Sequence, residues 1–208
     1  NGIVSLRSSK MNKIISIFLS FLFSVSILAG CIGPEAAAEE DEIALCTEGN
    51  IPEWYVGCTL PGFDLIDQNG THWNESSANE SGRWVAYFSA SWCTHCKPTI
   101  EALDESIMEN HLLVFNKHES NESSNMTKWH LTMEEELNRS IHRPFLHAPS
   151  LAANLSVTSI PHVLLIENNT VLSARIGLWD SAHEMSMWFN ATSPQSGYTQ
   201  SMSMDQME

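Results

Sequence analysis

Two cysteines spaced Cys-x-x-Cys, Cys93 and Cys96, most constrain what this chain can fold into, because of the segments that flank them. Before the pair, Trp84–Phe88 is an apolar run of strand length, as expected of a buried central strand. After it, residues 93–110 have helical spacing, with Ile100 and Leu103 on one face. The first cysteine is therefore predicted at a helix N-terminus, where unpaired backbone N–H groups and the helix dipole favour an anion.

The predicted position of Cys93 suits thiol-disulfide chemistry. A thiolate is an anion, so we expect the pKa of Cys93 to fall below the free value of about 8.5 and Cys93 to be the attacking nucleophile. Cys96 lies one turn further on, close enough to form a disulfide as the resolving thiol. His95, between them, can donate to the thiolate or place positive charge near it. Stabilising the reduced form predicts an oxidising couple, nearer about −120 to −180 mV than about −270 mV.

Further apolar and alternating segments predict a mixed sheet. Val163–Ile166 and Val171–Ile176, separated by an Asn-Asn turn, indicate two strands in a hairpin, so that one pairing is antiparallel. The other predicted strands are Phe63–Asp67, which leads into an Asn-Gly turn, and the buried run Leu112–Phe115. The order strand, helix, strand, helix, strand, strand, helix is typical of an α/β domain.

Three helices are predicted besides the one that follows the cysteines. Thr132-x-x-Glu135 is a capping-box pattern, which predicts a helix over residues 132–141. Ser150–Leu155 predicts a short helix, and Asp180 is expected to cap a last one. The polar segment 74–82 is expected to be a loop.

The motif Trp-Cys-x-x-Cys-Lys at residues 92–97, after an apolar strand, resembles the thioredoxin superfamily. A second landmark agrees, because Thr158-Ser-Ile-Pro161, followed by a buried strand, is similar to that family's cis-proline loop. The resemblance implies that Pro161 packs beside the disulfide and that the backbone of Ile160 helps to bind substrate. Trp92 is expected to shield the site and offer apolar contact. Gly177 is similar to a family glycine near the site.

The opening Leu60–Leu65 with Asn69-Gly70 is similar to the start of the TlpA/ResA branch, whose members are membrane-tethered, extracytoplasmic proteins. The 68 residues from Cys93 to Pro161 leave room for that branch's helical insertion. Pro144–Leu146 and Leu151–Val157 resemble its closing part. The resemblance therefore implies an α/β, thioredoxin-like fold over residues 46–190. Its central mixed β-sheet is flanked by helices, with an N-terminal β extension and a helical insertion before the cis-proline loop.

Three positions depart from the family pattern. Where the family often has a proline, after the second cysteine, this chain has Glu101, and a proline occurs earlier, at Pro98. Tyr87 stands where thioredoxin itself has a buried acid. Glu101 is therefore a candidate proton acceptor for Cys96; the alternative interpretation is a solvated helix acid.

The front of the chain has the pattern of a targeting segment. From Met11, a natural start, a basic residue precedes the apolar stretch Ile14–Leu28, which is rather short for a membrane span of about 20 residues. Leu28-Ala-Gly-Cys31 resembles the lipobox of bacterial and archaeal lipoproteins. We predict a signal peptide over residues 1–30, lipidation of Cys31, an acidic flexible linker over 31–45 and a disordered tail over 191–208. An uncleaved signal anchor is the alternative, and either would tether the domain to the outer face of a membrane.

Export makes a second disulfide plausible. With Cys31 lipidated and Cys93 paired to Cys96, Cys46 and Cys58 are left for each other, although two unpaired buried thiols are the alternative. Glycosylation sequons also favour export, unless they only reflect Asn- and Ser-rich loops. They begin at Asn69, Asn74, Asn79, Asn121, Asn125, Asn138, Asn154, Asn168 and Asn190.

The charge balance argues against nucleic-acid binding. After Cys31 the chain has 25 acidic and seven basic residues, a net charge of −18, because all the acids follow Cys31 and three basic residues precede it. A surface this negative repels phosphate backbones.

Together these features predict dithiol-disulfide exchange with exported proteins, at the extracytoplasmic face of a membrane and with a membrane redox partner. No organic cofactor is implied. One alternative is a copper or zinc site made by Cys93, Cys96, His95 and His162, since thiolate and imidazole suit both metals. A thiol peroxidase and a domain that only binds partners are the others.

Overall fold

The computed structural model describes residues 44–52, 55–119 and 125–192. The predicted signal peptide, Cys31, nearly all of the linker and nearly all of the tail lie outside the described residues. None of the helices in the described part of the chain has the length and apolar content of a membrane span.

A five-stranded mixed sheet forms the centre of the domain, with strand order β5-β4-β3-β6-β7. The strands β3, β4 and β5 are parallel, whereas β6 runs antiparallel to both β3 and β7. A separate antiparallel hairpin, β1-β2, precedes the sheet and forms the N-terminal β extension. The strands are β1 (Asp64–Ile66), β2 (His72–Asn74), β3 (Arg83–Ser89), β4 (Leu112–Asn116), β5 (Phe145–His147), β6 (His162–Glu167) and β7 (Thr170–Ile176).

Helices cover both faces of this sheet, and the predicted α/β class is confirmed. The described helices are α1 (Glu75–Asn79), α2 (Cys96–Ser106), α3 (Met126–Leu137), α4 (Pro149–Asn154) and α5 (Ala182–Ala191), with a 3₁₀ turn at Glu109–His111. The prediction of a loop over residues 74–82 is wrong, because α1 lies there and begins with a capping box at Asn74. Helix α2 is shorter than predicted, because Ile107 is already extended. The last helix is capped by Ser181 rather than Asp180.

The prediction that a helix begins at Thr132 is wrong. Helix α3 begins six residues earlier, at Met126, and the side chain of Asn125 accepts from the backbone N–H of Lys128 at 2.9 Å. Thr132 lies inside the helix, where its hydroxyl donates to the carbonyl of Lys128. Met126 and Trp129 continue the apolar face toward the N-terminus, and burying this face outweighs the weaker capping-box pattern.

The insertion between β4 and β6 is more than helical. It contains α3 and α4, but also β5, which pairs parallel with β4 and forms an edge of the sheet. The segment Pro144–Leu146, expected only to close the insertion, therefore adds a strand.

Two hydrophobic cores pack on the two faces of β3, because successive side chains of a strand point to opposite faces. Trp84 and Phe88 belong to one core, which includes the N-terminal extension. Val85 and Tyr87 belong to the other, which includes α2, α3 and α5. Burying each large apolar side chain stabilises the fold by about 1.5–3 kcal/mol.

A disulfide joins Cys46 to Cys58 within the segment that precedes β1. Both cysteines are buried. Just after Cys58, the backbone N–H of Leu60 donates to the carbonyl of Asn169, at the turn between β6 and β7. Residues 55–60 therefore cover the end of the β6-β7 hairpin.

Candidate active site

Cys93 and Cys96 form a disulfide at the junction of β3 and α2, with their Cα atoms 5.3 Å apart. Cys93 lies in the turn after β3, where its backbone N–H donates to the carbonyl of Ala90. Cys96 is the first residue of α2, and His95 is the N-cap. Cys93 is partly exposed, whereas Cys96 is only 3 % exposed. Cys93 is therefore accessible from solvent, whereas Cys96 is not.

Exposed side chains surround the disulfide on its outer side. His95 is exposed and its side chain makes no capping hydrogen bond. Trp92 is 59 % exposed, and its ring meets that of His118 edge-on at 6.0 Å between centroids. Trp92 thus offers a free apolar surface next to Cys93.

A buried tyrosine supports the disulfide from below. The Tyr87 hydroxyl donates to the carbonyl of Cys96 at 2.7 Å. Burial raises the pKa of Tyr87 above its usual value, with an opposing hydrogen bond from Ser89, so that the hydroxyl keeps its proton. At the position where thioredoxin has a buried acid, this chain therefore has Tyr87, a neutral hydrogen-bond donor.

Glu101 is not brought to the buried cysteine. It lies five residues after Cys96 on α2, about 140° around the helix axis, and is exposed. This placement matches the alternative interpretation of Glu101 as a solvated helix acid.

The loop before β6 lies next to the Cys93–Cys96 disulfide. The bond between Ile160 and Pro161 is cis, and the carbonyl of Pro161 accepts from the N–H of Gly177 at 2.8 Å. The sheet brings the loop to the disulfide, because Phe88, at the end of β3, pairs with His162 at the start of β6. Ile160 and Cys93 pack against the same hydrophobic core.

Lys117, after β4, holds the chain that leads into this loop. Its ammonium group donates to the carbonyls of Val157 and Thr158, at 2.6 and 3.1 Å. The backbone N–H of Lys117 donates to the carbonyl of Ser89, at the end of β3. The cis-proline loop is therefore tied to β3 by side-chain as well as backbone hydrogen bonds.

His162 follows the cis-proline but faces away from the buried cysteine. Its ring lies edge-on to Tyr55 and Phe88, at 5.0 and 6.2 Å between centroids, in the core on the other face of the sheet from Cys96. Burial, helped by the charge of Lys117, lowers the pKa of His162 to about 4, and the backbone of Ser159 opposes this shift. The structure does not bring His162 into one ligand set with Cys96. Across the described residues, no group of three or more His, Cys, Asp or Glu side chains is placed to hold a metal ion.

A cleft of about 360 Å³ opens beside the disulfide, between the turn after β3 and helix α3. Both cysteines line it. Opposite them, α3 contributes Trp129, Met133 and Glu136. None of these three was singled out from the sequence, since the apolar spacing that marks α3 does not show which helix faces the cysteines.

Comparisons with solved structures place the fold. A proposed protein disulfide isomerase from Bacteroides thetaiotaomicron matches with a TM-score of 0.53 and 16 % identity, over 68 % of this chain and 91 % of that one. An uncharacterised conserved protein from Geobacillus kaustophilus matches with a TM-score of 0.52 and 13 % identity, over 67 % and 82 %. The thioredoxin domain of a thiol-disulfide oxidoreductase from Bacteroides vulgatus gives a TM-score of 0.48 and 14 % identity, over 65 % and 98 %.

No protein-family model and no curated protein matches the sequence. The structural likeness at these identities concerns the fold, which agrees with the sheet order, the Cys-x-x-Cys at the junction of β3 and α2, and the cis-proline before β6. The chain therefore has the thioredoxin-like fold.

Proposed function

We propose that this chain is a membrane-tethered, extracytoplasmic thiol-disulfide oxidoreductase that exchanges disulfides with exported proteins. The observation that carries the proposal is the unequal exposure of the cysteine pair beside the cis-proline loop. Cys93 is partly exposed and Cys96 is 3 % exposed. Only one sulfur is thus open to a partner, as sequential exchange requires.

In the reducing direction, the thiolate of Cys93 attacks a substrate disulfide. A bond forms between Cys93 and one substrate sulfur, and the other substrate sulfur leaves as a thiolate that takes a proton. Cys96, deprotonated, then attacks the Cys93 sulfur and releases the second substrate thiolate. The products are the Cys93–Cys96 disulfide and a substrate dithiol. The oxidising direction is the reverse, so that the two electrons always pass between the two cysteine pairs.

Neighbouring residues have supporting roles in this proposal. His95, exposed at the N-cap of α2, stabilises the Cys93 thiolate by its partial positive charge or by a hydrogen bond. Trp92 offers apolar contact to the substrate. The backbone of Ile160, held by the cis-bond to Pro161, is expected to bind the substrate chain.

The first test is the reduction potential of the segment 44–192 in glutathione buffers. We expect a reversible two-electron couple that is absent from Cys93→Ser. A potential above about −200 mV would indicate an oxidant or isomerase, as His95 suggests, and one below about −250 mV a reductant. A protein without any reversible couple would contradict the proposal.

The order of attack is tested by trapping. In Cys96→Ser the second step is blocked, so a mixed disulfide between Cys93 and substrate should accumulate and appear on non-reducing gels. Cys93→Ser should trap far less, because Cys96 is buried. Equal trapping by both variants would contradict the assigned roles.

The tether requires a separate test, because Cys31 precedes the described residues. The full chain should fractionate with membranes and take up labelled fatty acid, and Cys31→Ser should take up none. A full chain that fractionates with membranes without taking up the label would be held by an uncleaved anchor instead.

The peroxidase alternative gains no support from the cleft. Such a site needs an arginine near the reactive cysteine. Among the described residues that line the cleft, the positive charge comes from a lysine instead, Lys97.

A further inference from the structure

We propose that the cleft between the cysteine turn and α3 binds the residues next to the reactive cysteine of a polypeptide substrate. Side chains of α3 would then select among substrates. The inference rests on the proposed function, because it gives that function a second binding surface, on the side away from the cis-proline loop.

Location favours a polypeptide as the occupant. Cys93 is the partly exposed sulfur and lines the cleft together with Cys96. A substrate sulfur bonded to Cys93 brings its neighbouring residues within one or two residue lengths, about 3.5 Å each. Residues on one side of the substrate cysteine therefore fall over the cleft. Its volume of about 360 Å³ is at the lower end of the range for binding pockets, enough for one large side chain with its backbone.

The floor of the cleft suits an apolar side chain. Ile100 from α2 and Trp129 and Met133 from α3 line it, and these three are at most 7 % exposed. Their packing in the core holds them in place before a substrate arrives, which reduces the entropy lost on binding. The thioether of Met133 can adapt to side chains of different shape.

The rim of the cleft carries one charge of each sign. The ammonium group of Lys97, on α2, lies 3.4 Å from the carboxylate of Glu136, on α3. Their side chains are 39 % and 47 % exposed, so that both can face a bound peptide. The two charges cancel, which predicts that the native cleft discriminates weakly between acidic and basic neighbours. Reversing the charge at Glu136 should create a preference.

The chain offers a matched pair of variants for this test. Glu136→Lys and Glu135→Lys change the net charge equally, at adjacent and exposed positions of the same helix. Glu136 lines the cleft and Glu135 does not. Neither carboxylate is buried, so both variants should keep the fold.

The experiment uses the full chain and two peptide disulfides that differ only in having Asp or Lys beside the cysteine. The ratio of kcat/KM for the Asp peptide over the Lys peptide is measured for the native chain and both variants. We expect Glu136→Lys to raise this ratio about tenfold and Glu135→Lys to raise it less than about threefold, because only the first places a second positive charge at the bound residue. Equal shifts in the two variants would overturn the proposal, since they would report the overall charge alone.

A second peptide pair tests the floor. With Leu beside the cysteine, kcat/KM should exceed that for Gly about tenfold, and Met133→Gln should reduce this preference to about threefold or less. A native chain with no preference for Leu would also overturn the proposal. The reduction potential, measured on the same samples, separates the two ideas: loss of the couple contradicts the oxidoreductase, whereas an intact couple with unchanged ratios contradicts only the cleft.

Discussion

Two buried polar residues lie on opposite faces of the sheet near the Cys93–Cys96 pair. Tyr87, near the end of β3, and His162, at the start of β6, lie on neighbouring strands and point to opposite faces of the sheet. The hydroxyl of Tyr87 supports the backbone of Cys96 on one face. His162 fills the core between Tyr55 and Phe88 on the other. The end of β3 and the start of β6 thus carry two buried polar side chains, one on each face of the sheet, that stay neutral at pH 7.

His162 makes folding stability dependent on pH. Its pKa is about 4 in the folded protein, below the value of about 6.5 expected when unfolded. The unfolded state therefore binds the proton first as pH falls, and the stabilisation present above about pH 6.5 is lost progressively down to about pH 4. His162→Phe, which cannot titrate, should lose about 2.5 kcal/mol less than the native chain between pH 7 and pH 4.5, by urea unfolding.

The exposed His142 provides the control for this measurement. His142→Phe should follow the pH dependence of the native chain. Parallel curves for His162→Phe and the native chain would show that His162 titrates normally.

At the scale of elements, ion pairs join helix α2 to the insertion. Arg143, only 6 % exposed, donates to the carboxylate of Asp104 at 2.7 Å. It also donates to the carbonyls of Asp104 and Ile107, at the end of α2. Arg139 adds a second bond to Asp104, at 3.1 Å. Arg139 and Arg143 follow α3 along the chain, so these contacts tie the segment between α3 and β5 to the C-terminal part of α2.

Arg143→Met should therefore destabilise the fold by about 3 kcal/mol, because it leaves two carbonyls without their donor and weakens the pairing of a mostly buried carboxylate. Arg139→Met, at a more exposed position, should cost about 1 kcal/mol. Urea unfolding of the oxidised proteins measures both. Equal losses would contradict the importance of burial at Arg143.

The disulfide between Cys46 and Cys58 is expected to act on stability and not on exchange. It closes a loop with a sequence separation of 12, worth about 3 kcal/mol in the chain-entropy model. Replacing both cysteines by Ala should lower the free energy of unfolding by about 2–4 kcal/mol and leave the Cys93–Cys96 couple reversible. Loss of the couple in that variant would assign the second disulfide a redox role.

At the scale of the whole molecule, charge governs how partners approach. The chain after Cys31 carries a net charge of −18. Such a field attracts basic and repels acidic polypeptides over about a Debye length, roughly 10 Å at 0.1 M salt. Membrane tethering would not change this, because the charge belongs to the domain and its linker.

Exchange with the Lys peptide should therefore slow at least threefold between about 20 and 300 mM salt, while exchange with the Asp peptide should speed up. Stopped-flow fluorescence of the native chain, with the exposed Trp92 next to the disulfide as a reporter, measures both rates. The same salt dependence for both peptides would show that net charge does not steer the encounter.

Local patterns were sufficient for much of this protein. The apolar runs around Trp84–Phe88 and Val163–Ile166 and the Cys-x-x-Cys between strand and helix predicted an α/β domain and the place of the cysteine pair. These are readable because strand length, helix spacing and turn residues are properties of neighbours along the chain. The thioredoxin-like fold and the cis-proline at Ile160-Pro161 were implied by the family resemblance. The capping-box pattern at Thr132 misplaced the start of α3, because burial of the apolar face that begins at Met126 depends on tertiary packing.

The sequence by itself thus predicted a thioredoxin-like domain with one Cys-x-x-Cys pair between a strand and a helix. Only the tertiary structure decided that His162 and Cys96 lie on opposite faces of the sheet, that Phe145 belongs to an added strand, and that Glu136 meets Lys97 across a cleft. Each of these depends on how separate elements pack and in which register. Those choices are set by the burial of whole faces, a free energy that no short segment carries.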